Sequence, residues 1–254
     1  MSYTKWLLFT ACSISSTLHA SISLPAYAPD TIAITGGPTW TKNTQNQPIE
    51  LVPGGYNTYI AYSPGDTLFQ GELFVGWQRA LSQVKAYLQY GFTYFITSSA
   101  EIDGVIQQFG LPQFTNESYQ YKISHSHVGI KGKLIEAKKE KMPQFYVGGS
   151  IGVGFNDAHG YTNTPLISTV LPSPNFTPHT ETSFTYTVLA GMQKVFRKDW
   201  AFGIEYLFAD WGNSYLGRAP GQTTNQGPKL SQLYTNGLQF SVTYHQDCQT
   251  QNAS

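Results

Sequence analysis

The stretch KDWAFGIEYLFADW (residues 198–211) decides how the whole chain is read. Every second residue from Trp200 to Phe208 is large and apolar: Trp200, Phe202, Ile204, Tyr206 and Phe208. Between them stand Ala201, Gly203, Glu205, Leu207 and Ala209. Alternation with a period of two marks a β-strand with two different faces. A soluble sheet would turn the ring-studded face to a protein interior. A membrane sheet would turn it to lipid, and that choice of solvent fixes the fold.

Composition favours lipid. The 254 residues carry 15 Lys+Arg and 15 Asp+Glu, a net charge of +0, and charged residues make up only 12%. Soluble domains carry about 25%. Aromatics reach 15%, with 17 Tyr, beside 24 Gly. No clustered basic face is present, which excludes a nucleic-acid partner. The first twenty residues, MSYTKWLLFTACSISSTLHA, read as a cleaved signal peptide with Lys5 before an apolar run from Trp6 to Ile14. That run is too short to span a bilayer as a helix, which takes about 20 residues. One cysteine, Cys248, follows the cleavage point, so no internal disulfide is expected.

Seven further segments alternate like the first. They fall near residues 31–41, 67–78, 84–97, 119–137, 144–155, 183–196 and 233–246. In the fourth, Val128, Ile130 and Leu134 keep one phase while Tyr121 and Ile123 keep the other, so a β-bulge between them is expected. Connections alternate in length. Short ones fall near residues 79–83, 136–143 and 197–199, and long ones at 42–66, 98–118, 156–181 and 212–231. Short turns on one side and long loops on the other are the habit of a transmembrane barrel. Lipid leaves backbone groups unpaired unless the sheet closes, and eight strands give an interior just filled by side chains. Inward glycines such as Gly148, Gly152, Gly191 and Gly203 suit so narrow a lumen.

The fold expected is therefore all-β: a transmembrane antiparallel up-and-down β-barrel of eight strands, with short periplasmic turns and four long extracellular loops. Residues 1–20 are the signal peptide, 21–30 a periplasmic segment, 31–245 the barrel and 246–254 a periplasmic tail. A ten-stranded form follows if residues 56–62 make an additional hairpin.

The run AGMQKVFRKDWAFGIEYLFADWG resembles the penultimate hairpin of eight-stranded outer-membrane barrels of the opacity-protein and OmpA-transmembrane-domain kind, with Gly191, Phe196, Trp200, Tyr206 and Gly212 at corresponding places. The resemblance implies bacterial outer-membrane localisation. It also implies an assembly signal in the last strand, at Leu238, Phe240, Val242 and Tyr244, read by the outer-membrane assembly machinery. Such barrels serve as adhesins, structural proteins or small pores.

Face assignment places Glu72, Lys85, His127, Lys131, Lys133 and Glu205 inside the barrel. Buried charges demand partners, so Glu72 and Glu205 are expected to pair with Lys85 and Lys131 in a polar network. Trp77, Trp200 and Tyr244 are expected at the membrane interface on the short-turn side, and Trp40, Tyr94 and Trp211 on the long-loop side. His125 and His127 share a face, yet lack the further ligands of a metal site. No catalytic residue, cofactor or metal is expected. A lipid-modifying hydrolase is disfavoured because Ser124 and Ser126 alternate with the histidines. The function expected is non-enzymatic: a surface protein whose loops mediate adhesion or envelope interaction. The partners expected are outer-membrane lipid, lipopolysaccharide and a host or glycan ligand at the loops. A small passive channel is the alternative.

Overall fold

The computed structural model describes residues 28–41, 46–62, 66–81, 83–138, 142–223 and 227–246. The signal segment and the tail bearing Cys248 lie outside the described residues. Thirteen strands follow in chain order: β1 (Thr31–Thr41), β2 (Gln47–Val52), β3 (Gly55–Ala61), β4 (Thr67–Leu81), β5 (Ala86–Thr97), β6 (Ala100–Gln108), β7 (Thr115–Glu136), β8 (Gln144–Pro165), β9 (His179–Arg197), β10 (Trp200–Asp210), β11 (Ser214–Tyr215), β12 (Lys229–Leu230) and β13 (Tyr234–His245). No helix among the described residues is long and apolar enough to cross a membrane.

Eight of the strands close into a ring, in the order β1, β4, β5, β7, β8, β9, β10, β13 and back to β1, every pair antiparallel. The hairpin around residues 56–62 does form, as β2 and β3, but it stays outside the ring. β2, β3 and β6 instead join one another and the first half of β7. The result is a sheet that continues upward from one wall of the barrel.

Each ring strand turns its apolar residues outward. Ile34, Phe92 and Phe184 are 65%, 62% and 68% exposed, and Val128, Ile130, Phe202 and Phe240 stand out in the same way. In water this belt would be a contiguous patch far larger than the few hundred Å² that monomers expose. On β10 it runs over five outward positions, from Trp200 to Phe208. At about 3.3 Å per residue and a tilt of about 40°, that is about 20 Å of height, close to the band of transmembrane barrels. The interior is the reverse, with Glu72, Lys131, Glu205, Gln70 and Gln239 all buried. Apolar outside and polar inside, with the backbone paired all round, defines a membrane-spanning barrel.

β7 shows where the bilayer ends. Its inward residues from Tyr119 to Ile135 keep a single phase, so the bulge expected within this strand is absent. What inverts is the solvent. Below, Val128, Ile130 and Leu134 face outward and Lys131 and Lys133 inward; above, Gln120 and Lys122 face outward while Tyr119, Tyr121 and Ile123 are buried. The register shift lies opposite Tyr121 on β8, where Gly160 takes a φ of 66° and Tyr161 is returned to the interior.

Ile130→Arg, midway up the belt, is expected to cost about 2–4 kcal/mol of stability. Thr180→Arg, outward on β9 but above the belt, is expected to cost little. Urea midpoints of the two variants in detergent check this, and equal midpoints would mean that both positions meet water.

Candidate functional site

The lumen is filled at its middle by two carboxylates and two ammonium groups. Glu72 comes from β4, Lys131 and Lys133 from alternate positions of β7, and Glu205 from β10, all buried. Lys131 Nζ donates to both Glu72 oxygens, at 2.8 and 2.7 Å, and lies 3.9 Å from Glu205 Oε1. Lys133 Nζ lies 3.9 Å from Glu205 Oε2 and 4.1 Å from the centre of the Tyr146 ring. Thr93 Oγ1 donates to Glu72 at 2.6 Å, and the Tyr146 hydroxyl donates to Glu205 at 2.9 Å. The cluster is neutral as a whole. Gly203 makes room for it, since a Cβ there would fall 2.5 Å from Ser241 Oγ and 3.1 Å from the Tyr146 hydroxyl.

Lys85 has no place in this network. It sits exposed in the short turn before β5, at a φ of 48°. β5 begins only at Ala86, two residues after the alternation starts at Val84, so Lys85 belongs to the turn and not to the strand. Lys133 stands as the second cation beside Glu205.

A second seal lies above. Trp211 was expected at the membrane interface; it is instead fully buried on the axis of the barrel. The strand pattern ends at Asp210, the chain turns inward at Gly212 (φ 76°), and the indole caps the lumen. Its ring lies 4.2 Å from His125, 5.8 Å from His127 and 5.7 Å from Phe95 between centroids, and its Nε1 donates to Thr235 Oγ1 at 2.9 Å. His125 Nδ1 is 2.6 Å from Asn156 Oδ1, and His127 Nδ1 is 2.5 Å from Thr185 Oγ1. His127 thus belongs to this aromatic layer and makes no ion pair with the carboxylates below. The imidazoles fit because Gly152 and Gly154 face them: a Cβ on either would fall 2.7 Å from a histidine ring carbon.

No serine–histidine pair forms among the described residues of this layer. Ser124 and Ser126 point away from the lumen that both histidines face. Among the described residues no group of three or more His, Cys, Asp or Glu side chains could hold a metal ion.

Above the plug the four long links do not hang as open loops. They fold into a cap whose apolar core, including Tyr59, Ile106, Tyr119, Tyr161, Phe176 and Leu216, is continuous with Trp211 and Phe95 in the lumen. Tyr59 packs edge-on to Tyr119 and Phe176 at 5.3 and 5.6 Å, and Tyr161 meets Phe176 at 5.0 Å. Burial raises the Tyr119 phenol above its ordinary pKa, and the nearby Asp103 carboxylate adds to the rise. Glu117, fully buried, ties two links together, its own and the one after β8. Its carboxylate accepts from Gln108 Nε2 (2.8 Å), Asn163 Nδ2 (3.1 Å), and the Ser173 amide and hydroxyl (2.7 Å each). The fourth link is laced to the first through Gln47 and Lys229, paired amide to backbone at 3.1 and 2.9 Å. None of this is visible in local periodicity, because it depends on which links meet.

Of the other residues singled out from the sequence, Trp40, Tyr94 and Trp200 are outward and exposed. Trp77 stacks on Tyr90 at 5.7 Å and Trp200 packs on Tyr244 at 5.1 Å, both pairs toward the short turns. Leu238, Phe240 and Val242 also face outward on β13. Charge is unevenly placed. Among the described residues the long-link side carries eight carboxylates (Glu50, Asp66, Glu101, Asp103, Glu117, Asp157, Glu181, Asp210) against three cations (Lys122, Arg218, Lys229).

A closed eight-stranded ring, lipid-facing outside and sealed within, is the class of protein this chain presents. No family model matches its sequence, and no curated protein matches it. Solved structures do resemble it. Neisserial surface protein A is 9% identical, with 84% of this chain and 96% of that one covered and a TM-score of 0.41. The outer-membrane protease OmpT of Escherichia coli is 9% identical, covering 88% and 99%, with a TM-score of 0.47. OprG of Pseudomonas aeruginosa is 12% identical, covering 86% and 97%, with a TM-score of 0.41. The ring rests on this chain's own strand register rather than on these likenesses.

Proposed function

We propose that the chain is a bacterial outer-membrane surface protein that acts by contact, without catalysis. The barrel is the scaffold, and the cap meets molecules of the envelope or of an apposed cell. One observation carries this reading: the four long links are spent on a folded, hydrogen-bonded cap, while the lumen beneath is filled at two levels. Rigid scaffolds that display link segments commonly place recognition there. A pore would leave its lumen open, and an enzyme would gather its nucleophile and base on one face. Outer-membrane lipid and lipopolysaccharide bathe the belt and the lower cap in this reading, and β13 is the strand offered to the assembly machinery.

The test uses cells displaying the full chain beside cells displaying a variant with its four links cut to short turns. Binding to host cells or extracellular matrix is expected to fall to background in the variant. Unchanged binding would overturn the contact role. In planar bilayers the purified full chain is expected to show no reproducible openings, and steady conductance would restore the channel reading.

A further inference from the structure

The outward face of the upper sheet carries a polar groove that neither the barrel nor the cap core needs. Cross-strand register builds it. Tyr62 follows β3 and pairs through its amide with the Asp103 carbonyl at 2.9 Å. Asp103 on β6 stands opposite Gln120 on β7, which stands opposite Thr162 on β8. One row therefore reads Tyr62, Asp103, Gln120, Thr162 across four strands, about 14 Å at the usual strand spacing. Ser118 and Thr164 form the adjoining row. Together these side chains line a groove of about 230 Å³. Tyr62 is 62% exposed, and Asp103, Gln120 and Thr162 are exposed as well. Among the described residues neither the Asp103 carboxylate nor the Gln120 amide has a hydrogen-bond or ion-pair partner.

We infer that this groove binds a neutral pyranose unit of a saccharide chain. One amphipathic ring offers a face for the C–H side of a sugar. A free carboxylate accepts from two neighbouring hydroxyls in charge-assisted hydrogen bonds. The Gln120 amide and the Thr162 and Thr164 hydroxyls both donate and accept, and Ser118, which donates to the Thr164 carbonyl at 3.4 Å, can accept. The volume lies below the roughly 300 Å³ at which pockets for drug-sized ligands begin, so it suits one ring. Asp103, and the excess of carboxylates on this side of the membrane, disfavour sulfated or carboxylated chains. Gln120 lies six residues above Ser126 on β7, which is level with the outward Ile96 and Phe155 at the top of the apolar belt, so it stands about 15 Å over the belt at the strand's rise and tilt. That is the height of the sugars of an outer-leaflet glycolipid, and it is also within reach of a glycan on an apposed surface. The inference rests on outward display of the cap.

Full-length protein in phospholipid nanodiscs is titrated with methyl pyranosides and neutral oligosaccharides of glucose, galactose and mannose, with saturation-transfer NMR as the readout. At least one neutral saccharide is expected to bind. Asp103→Asn and Tyr62→Ala are each expected to weaken it about tenfold or more, with heat-modifiable gel migration unchanged. Heparin oligosaccharides are expected not to bind. Absence of any neutral binder, equal affinity for heparin, or affinity indifferent to both substitutions would overturn the site. Repeating the titration in nanodiscs containing lipopolysaccharide fixes the source. Loss of the free-sugar signal supports the site and assigns it to the membrane glycolipid; a retained signal supports it and assigns it to an external glycan. Cell adhesion is read separately, so a failed adhesion test leaves this result standing, and the reverse.

Discussion

Replacing Lys131 with methionine is expected to destabilise the barrel by about 3–5 kcal/mol, the usual cost of leaving a buried charge without its partner. The loss has two sources. Glu72 would lose both short hydrogen bonds from Lys131 and keep only Thr93. Glu205 would retain Lys133, at 3.9 Å, and the Tyr146 hydroxyl. Glu72→Gln should be milder, since a neutral amide is less costly to leave in the lumen than a carboxylate. The double variant Glu72→Gln/Lys131→Met is then expected to be more stable than Lys131→Met alone, because it leaves one neutral pair, Glu205 and Lys133. Urea midpoints in detergent, followed by the migration of unboiled samples, close the double-mutant cycle. Additive costs would show that the two groups do not interact.

The barrel was legible because lipid imposes a simple rule on sequence. Every ring strand had to turn apolar side chains outward, and the period of two in residues 200–208 reports that directly. The interior was legible only by subtraction. Face assignment places Glu72, Lys131 and Glu205 inside, as the structure does. Alternation does not mark where a strand ends, however, and Lys85 falls in the turn just before Ala86. The apparent phase change in the fourth alternating segment had a different origin. Tyr121 and Ile123 are on the inner face throughout, and the environment reverses around them as β7 leaves the membrane. A single strand can thus follow both the lipid rule and the water rule, and the crossover between them marks the bilayer surface. The cap and the groove were not legible at all. Asp103, Gln120 and Thr162 are far apart in sequence, and only the pairing of β6, β7 and β8 brings them into one row.

Trp211 gives the sharpest contrast between the two readings of one residue. At a membrane interface its loss would cost little and its indole would meet lipid. On the barrel axis, Trp211→Ala is expected to cost about 3–5 kcal/mol, the usual range for removing a large buried ring. Trp211→Phe is expected to cost less, because it fills most of the same space and gives up chiefly the bond to Thr235, worth about 1 kcal/mol. The position can be read without unfolding anything. In a variant that begins at Ser21 and has Trp40, Trp77 and Trp200 changed to Phe, one indole is left. Its emission is expected to be blue-shifted and insensitive to iodide in water and to brominated lipid in the bilayer, because His125, His127 and Phe95 enclose it. Quenching by brominated lipid would return Trp211 to the interface. The upper seal would then be open, leaving the ion-paired layer around Glu72 and Lys131 to close the lumen by itself.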